Sequence, residues 1–132
     1  MINHVNLVVR NINESKKFFQ AALAPLGYRL LAEHPKSAGF GQEDVEGKRD
    51  FWLKQGSVGE NRSFSCLAFT AKSKEEVDGF HKIAVRAGAK DNGRPGCRLK
   101  YHEGYYAAYV IDPNGYNIEA VWDDLEKLGI KK

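Results

Sequence analysis

The stretch that decides the fold is HVNLVVRNINE at residues 4–14, because its pattern returns as CLAFTAKSKEE at residues 66–76, 62 positions further along the chain. Each copy starts with a short apolar or alternating run, which is typical of a β-strand with one buried face. Each run leads to a polar residue that can cap a helix, followed three positions later by a glutamate. Asn11 and Ser73 are therefore predicted to begin two equivalent helices.

Each predicted helix carries an apolar stripe at three- and four-residue spacing. The stripe residues are Phe18, Phe19, Ala22 and Leu26 in the first helix, and Val77, Phe80, Ala84 and Ala87 in the second. Gly27 and Gly88 suit the left-handed conformation that ends a helix, and Pro25 is an unusual residue just before the first of them. The shared offset predicts an internal duplication. The alternative is an ordinary α+β domain, which would have no pseudo-two-fold axis.

After each helix the sequence becomes strand-like, with turns between the runs. Strands are predicted at residues 28–31 and 50–54 in the first half, with a polar, glycine-rich stretch between them. In the second half, residues 105–111 and 116–122 flank the segment DPNG at residues 112–115. Asn-Gly between two such runs is a strong hairpin signal, because both residues accept a positive φ. The predicted fold class is α+β, with two βαβββ units that form a partly open, mixed, barrel-like cup.

The length of 132 residues, of which 42% are hydrophobic, allows one core and is too short for two large domains. We expect a single domain over residues 1–132. Its first unit would span about residues 1–58, its second unit about 62–122, and a C-terminal tail 123–132. Eight short strands in two half-open sheets leave edges to be covered, so we also expect a homodimer.

The charge pattern and the start of the chain indicate which partners and which cellular location to expect. The net charge is +3, and the densest basic stretch, Arg94 to Lys100, reads as a solvated loop, so we expect no nucleic-acid partner. The sequence has no apolar run long enough for a bilayer and no secretion signal, which predicts a cytoplasmic protein without a membrane partner. Cys66 and Cys97 are then expected to be free thiols.

Strand parity predicts which side chains face the concave side of the sheets. The apolar set that should lie under the helices comprises Val5, Leu7, Val9, Leu67, Phe69 and Ala71. His4, Cys66 and Glu119 then point to the opposite face, and these are metal-ligand types. The alternative for His4 is a hydrogen-bonded structural residue, and for Cys66 a small hydrophobic residue. A carboxylate on a sheet face seldom stays there unpaired.

The segment DPNGYNIE at residues 112–119 resembles the Asp-Pro-x-Gly-x-x-Ile-Glu signature that closes domains of the vicinal oxygen chelate superfamily. That superfamily includes glyoxalases, extradiol dioxygenases and bleomycin-resistance proteins. His4 near the start of the first strand and Phe18-Phe19 in the first helix add to the resemblance, which covers roughly residues 1–122. The signature is fairly specific for the superfamily and weak for any one activity.

The resemblance implies metal ligands at His4, Cys66 and Glu119, with a fourth position at Phe51 or Trp52. The ion would be divalent zinc, iron, manganese or nickel. Two departures matter: Cys66 stands where the family most often has histidine or glutamine, and the first unit has an aromatic residue where four-ligand glyoxalase I has a carboxylate. A thiolate at Cys66 would favour a softer ion such as zinc over the iron of ring-cleaving dioxygenases.

Three residues are candidates for catalysis, namely Glu119, Tyr109 and His102. The resemblance implies Glu119 and Tyr109, and His102 lies in an aromatic, polar stretch beside the expected cup and is a candidate general acid or base. One hypothesis is a metal-dependent lyase or dioxygenase that binds two neighbouring oxygens of a small-molecule substrate. The other is a metal-free binding protein of the bleomycin-resistance type, whose cup sequesters a small ligand.

Overall fold

The structure is a computed structural model that describes residues 2–42, 48–58, 66–101 and 103–124. Within these ranges the chain forms two α-helices, one short 3-10 helix and eight β-strands. The first half contains β1 (Val5–Val9), α1 (Ile12–Ala22), the 3-10 helix (Ala24–Leu26), β2 (Tyr28–His34), β3 (Ser37–Gln42) and β4 (Phe51–Gln55). The second half contains β5 (Leu67–Thr70), α2 (Lys74–Arg86), β6 (Lys90–Cys97), β7 (Tyr105–Ile111) and β8 (Asn117–Asp123). Neither helix has the length and apolar character needed to cross a bilayer.

The strands form two four-stranded sheets with the same topology. The orders are β1-β4-β3-β2 and β5-β8-β7-β6, so the first and last strands of each half are neighbours. These neighbours run parallel, and the other pairs run antiparallel. The sheets do not close into a barrel, which leaves a partly open cup. The predicted fold class is confirmed.

Side-chain caps begin both helices at the predicted residues. The Asn11 side chain accepts a hydrogen bond from the Glu14 amide, and the Ser73 hydroxyl accepts one from the Glu76 amide, both at 3.1 Å. The Glu76 carboxylate reaches back and accepts a hydrogen bond from the Lys72 amide at 2.9 Å. These contacts satisfy amide donors that the first turn of a helix leaves free.

The end of the first helix differs from the prediction. α1 stops at Ala22, and the chain continues as the 3-10 helix to Leu26 before Gly27 adopts a φ of +83°. Pro25 explains the break, because it has no amide hydrogen to continue the α-helical pattern. In α2 the expected stripe residue Ala87 is exposed, since it lies at the C-cap, just before Gly88 with its φ of +116°.

The core follows the predicted alternation and extends through both halves. Leu7, Val9, Phe69 and Ala71 are buried, and the intervening residues of β1 and β5 are exposed. Phe69 packs edge-to-face against Phe51, with ring centroids 5.2 Å apart, and so joins the two sheets. The face opposite this core, which carries Asn6, Ala68 and Glu119, is called the cup face below.

The segment between β7 and β8 corrects the turn prediction. Of the Asn-Gly pair only Gly115 has a positive φ, at +90°, and Asn114 does not. The Gly115 amide donates to the Asp112 carbonyl, and the Asp112 amide donates to the Tyr116 carbonyl, both at 2.9 Å. These bonds close a three-residue loop, in which a single left-handed glycine suffices. The Asp112 carboxylate stabilises the loop by accepting hydrogen bonds from the amides of Asn114 and Tyr116.

The stretch Arg94 to Lys100 is predicted to be a loop, yet its first part lies in β6. The prediction failed because Gly93, Pro95 and Gly96 are poor strand formers. β6 tolerates them because it is an edge strand, where a proline does not have to donate to a second neighbour. The expected unit boundary at about 58–62 and the expected tail 123–132 lie partly outside the described residues.

The loop between β7 and β8 also ties the second half of the chain to the first. The Asn114 side chain accepts a hydrogen bond from the Arg10 amide at 2.9 Å and donates one to the Ser15 hydroxyl at 3.0 Å. The Tyr116 hydroxyl donates to the Val8 carbonyl at 2.8 Å. Asn114 and Ser15 are both buried, so these bonds are shielded from water.

We predict that Asn114→Ala lowers the free energy of unfolding by about 1–3 kcal/mol, because it leaves the Arg10 amide and the Ser15 hydroxyl without this partner. Urea denaturation followed by circular dichroism measures the change. Asn13→Ala, at an exposed position of α1, is the matched control and should change the stability by less than about 0.5 kcal/mol. An equal effect of both substitutions would contradict a stabilising role for the hydrogen bonds of Asn114.

Candidate functional site

Glu119 and Cys66 lie together on the cup face of the second sheet. Glu119 pairs with Ala68 across the parallel strands β8 and β5, and Cys66 precedes Ala68 by two residues, so it shares this face. The Glu119 carboxylate is half-buried and accepts a hydrogen bond from the Asn117 amide group at 3.0 Å. The Cys66 thiol lies close enough to this carboxylate to interact with it.

The environment of Cys66 favours the protonated thiol. Loss of water, then the hydrogen bond to Glu119 and the negative charge of that carboxylate, raise the pKa of Cys66. Among the described residues, the partners of Glu119 are this thiol and the Asn117 amide, and no lysine or arginine pairs with it. In the described part of the chain, this half-buried carboxylate thus has no cationic side chain as a partner. Both thiols are free, as expected.

Tyr109 stands directly opposite Glu119 across β7 and β8. Its hydroxyl accepts a hydrogen bond from Arg98 Nε at 3.3 Å, and the Arg98 guanidinium lies 4.9 Å from the ring centroid. The ring covers Gly93, where a Cβ atom would come within 2.5 Å of it. The predicted catalytic tyrosine is therefore next to the carboxylate and is held between an arginine and a glycine. No motif in the sequence identifies Arg98 as a residue of this site.

His4 lies on the side of the first sheet. It is exposed at the start of β1, and its Nδ1 donates a hydrogen bond to Asn3 Oδ1 at 2.8 Å. It lines a cavity of about 330 Å³ together with Asn3, Lys48, Arg49 and Trp52. In the described part of the chain, no three histidine, cysteine, aspartate or glutamate side chains are close enough together to hold a metal ion. The structure thus brings Cys66 and Glu119 together and leaves His4 apart, while His102 lies outside the described residues.

The strand register identifies which residue of the first half corresponds to Glu119. Asn6 and Ala68 are equivalent in the repeat; Asn6 pairs with Trp52, and Ala68 pairs with Glu119. Of the two residues predicted for a fourth ligand position, Trp52 is therefore the equivalent of Glu119. Phe51, the other candidate, is buried in the core. The sequence left these two residues open because the register of β4 depends on pairing that no local pattern specifies.

A larger cavity of about 440 Å³ lies between the two sheets. Its polar wall contains Tyr28, whose hydroxyl donates a hydrogen bond to Asp50 Oδ2 at 3.1 Å. Burial, and then the charge of Asp50 and this hydrogen bond, raise the pKa of Tyr28. The tyrosine is thus held as a neutral donor at neutral pH, next to the contact between Phe51 and Phe69 that joins the sheets.

We predict that Glu119→Gln lowers the pKa of Cys66, because it removes the negative charge that opposes the thiolate. Only thiolate reacts with iodoacetamide, so alkylation at pH 8 should become faster. The measurement uses a Cys97→Ser background, in which Cys66 is the one remaining cysteine, and compares pH–rate profiles with and without Glu119→Gln. Glu75→Gln, at an exposed position of α2, should leave the profile unchanged. If all three profiles coincided, the contact between thiol and carboxylate would be wrong.

Comparison with known proteins agrees with this geometry. The family model of the Glyoxalase/Bleomycin resistance protein/Dioxygenase superfamily matches residues 1–120. A glyoxalase/bleomycin resistance protein from Albidiferax ferrireducens is 27% identical, with a TM-score of 0.75 over 91% of this chain and 97% of its own. No curated protein matches the chain in sequence.

Two fosfomycin resistance proteins called FosX share the fold at lower identity. The protein from Mesorhizobium loti is 15% identical, with a TM-score of 0.69 over 98% of each chain. The protein from Listeria monocytogenes is 18% identical, with a TM-score of 0.70 over 96% of this chain and 93% of its own, and a mutant of it was solved in complex with Mn(II) and 1S,2S-dihydroxypropylphosphonic acid. With the family model matching residues 1–120, the chain belongs to the Glyoxalase/Bleomycin resistance protein/Dioxygenase superfamily.

Proposed function

We propose that this protein is a divalent-metal-dependent enzyme, a lyase of the glyoxalase type or a dioxygenase, that acts on a small organic substrate with two neighbouring oxygen atoms. The observation that carries the proposal is Glu119, a half-buried carboxylate with a thiol and an amide as its partners. A carboxylate that has no lysine or arginine partner among the described residues is available as an oxygen ligand for a cation. A divalent ion on the cup face would supply that cation.

Within one chain, two of the three proposed metal ligands lie together and the third lies apart. Cys66 and Glu119 are adjacent, and we assign His4 as the third donor because it is the equivalent of Cys66 in the repeat. The hydrogen bond of His4 to Asn3 is the contact that coordination would replace. The metal ion would polarise a substrate oxygen and stabilise negative charge that develops there. The FosX structure that contains Mn(II) and a vicinal diol supports this class of ligand for the fold.

The remaining residues of the second sheet bind and orient the substrate. The Tyr109 hydroxyl accepts its hydrogen bond from Arg98, so its own proton remains available for a substrate oxygen on the cup face. Glu119 can take up a proton from a carbon or oxygen atom held next to it. Asn117 fixes the orientation of the carboxylate through its amide group. His102 stays a candidate general acid or base, since it lies outside the described residues.

The second candidate function is a metal-free binding protein of the bleomycin-resistance type. The observation that favours it is the position of Cys66 beside Glu119, where loss of water and the neighbouring carboxylate raise the pKa of the thiol. A metal ion must displace the thiol proton before the sulfur can serve as a ligand. In that case Glu119 would bind a donor or a cation of the ligand directly. Elemental analysis of the purified protein separates the two candidates.

We predict that Glu119→Gln weakens divalent-metal binding by about 10-fold or more, because it removes the carboxylate ligand. Calorimetric titration with zinc, manganese and iron(II) measures the affinity, and Glu75→Gln is the matched control. Cys66→His should strengthen iron and manganese relative to zinc, because an imidazole replaces a soft thiolate. Metal binding that is indifferent to both Glu119→Gln and Cys66→His would transfer the assignment to the metal-free binding protein.

We also propose that the protein is a cytoplasmic homodimer. β1 and β5 are edge strands of their sheets, and exposed strand edges favour association with a second copy. Light scattering coupled to size exclusion should therefore give twice the chain mass of 14.8 kDa at micromolar concentration. A monomeric mass across this range would count against the dimer.

A further inference from the structure

The two halves of the cup carry different chemistry at equivalent positions. The second half has Glu119, with Tyr109 opposite it on β7, and the first half has Trp52, with Gly39 opposite it on β3. If the two halves were identical, the first half would have a carboxylate that could bind a metal ion or accept a proton. It has the indole of Trp52 instead, which can do neither. An indole on this face has another use, because its π-surface can receive a flat ligand.

The Trp52 ring is fixed by its surroundings. Its Nε1 donates a hydrogen bond to the Arg49 carbonyl at 3.2 Å. The ring lies directly over Gly39, where a Cβ atom would come within 2.8 Å of the indole, so the position requires a residue without a side chain. The His34 ring is parallel to it within 11°, with centroids 6.3 Å apart. These contacts preorganise the aromatic surface before any ligand arrives.

A cavity and two lysines adjoin this ring. Trp52 lines the cavity of about 330 Å³ that also contains His4 and Lys48, which is the size of a small-ligand pocket. The Lys54 ammonium lies 5.3 Å from the centroid of the indole. This cation–π contact at an exposed side chain is weak, and the ammonium can pair with an anionic group that comes to lie over the ring. The indole surface favours a flat ligand, and the lysines favour an anionic one.

We propose that Trp52, with Lys54 and Lys48, forms a substrate subsite for a planar, conjugated organic anion. The ring of the ligand stacks on the indole, and its anionic group pairs with the lysines. The proposal rests on the proposed function in that it names the substrate class of the same cup. It assigns recognition of the ligand to Trp52 on the first sheet, whereas Glu119 and Tyr109 lie on the second.

The test uses metal-free protein, so that binding at Trp52 is measured independently of a metal ion. The probes are benzoate and cyclohexanecarboxylate, which share the carboxylate and differ in planarity. The protein has two tryptophans, and their two ¹⁵N-indole signals report where each probe binds. We expect benzoate to shift the Trp52 signal saturably and to bind about 3- to 10-fold more tightly than cyclohexanecarboxylate.

Three variants separate the contributions. Trp52→Leu should abolish the preference for benzoate, and Trp122→Phe, the matched control, should retain it. Lys54→Met should weaken both acids while keeping the preference. Should Trp52→Leu fail to fold, Gly39→Ala is the second variant, because the added methyl group displaces the indole from its strand, and it should reduce the preference as well.

Two results would overturn the subsite: equal affinity for the two acids, or a benzoate shift confined to the Trp122 signal. The metal titrations distinguish this failure from failure of the proposed function. If Glu119→Gln lowers metal affinity and benzoate shows no preference, only the subsite is wrong. If benzoate stacks on Trp52 and the protein binds no metal, the ligand class stands and the metal-dependent function does not.

Discussion

The site depends on one constraint, the parallel pairing of the first strand of each half with the last. A parallel pair cannot be joined by a tight turn, so a helix and two further strands have to connect its members. The consequence is that residues far apart in sequence become neighbours on one face, as Ala68 and Glu119 do. The same pairing brings Asn6 next to Trp52 in the first half. The fold thus creates two equivalent positions, and the sequence decides what each one does.

The two halves use glycine in the same way to hold different side chains. Gly39 lies under Trp52 on the first sheet, and Gly93 lies under Tyr109 on the second. In each case the missing side chain lets an aromatic ring lie flat against the neighbouring strand. The ring then cannot turn away from the cup without losing its packing. Each ring would limit the shape of a ligand that binds beside it.

Local patterns predicted the features that depend on neighbouring residues. The caps at Asn11 and Ser73 and the burial of alternate strand residues followed from short-range chemistry. The patterns failed where longer-range context decided the outcome. Pro95 lies in a strand because β6 is at an edge, and the choice of Trp52 over Phe51 depends on the register of β4. The separation of His4 from Cys66 and Glu119 reflects how the two sheets pack, which the repeat alone does not specify.

The hydrogen bonds of Asn114 with Arg10 and Ser15 have a consequence for the order in which the chain can fold. Asn114 follows its partner Arg10 by 104 residues and its partner Ser15 by 99 residues. A ribosome releases the first half long before it adds Asn114, so β1 and the start of α1 emerge without this support. The N-terminal half would therefore be a poor folding unit by itself during synthesis. Formation of the hairpin of β7 and β8 would then stabilise both halves together. This favours a single cooperative folding transition.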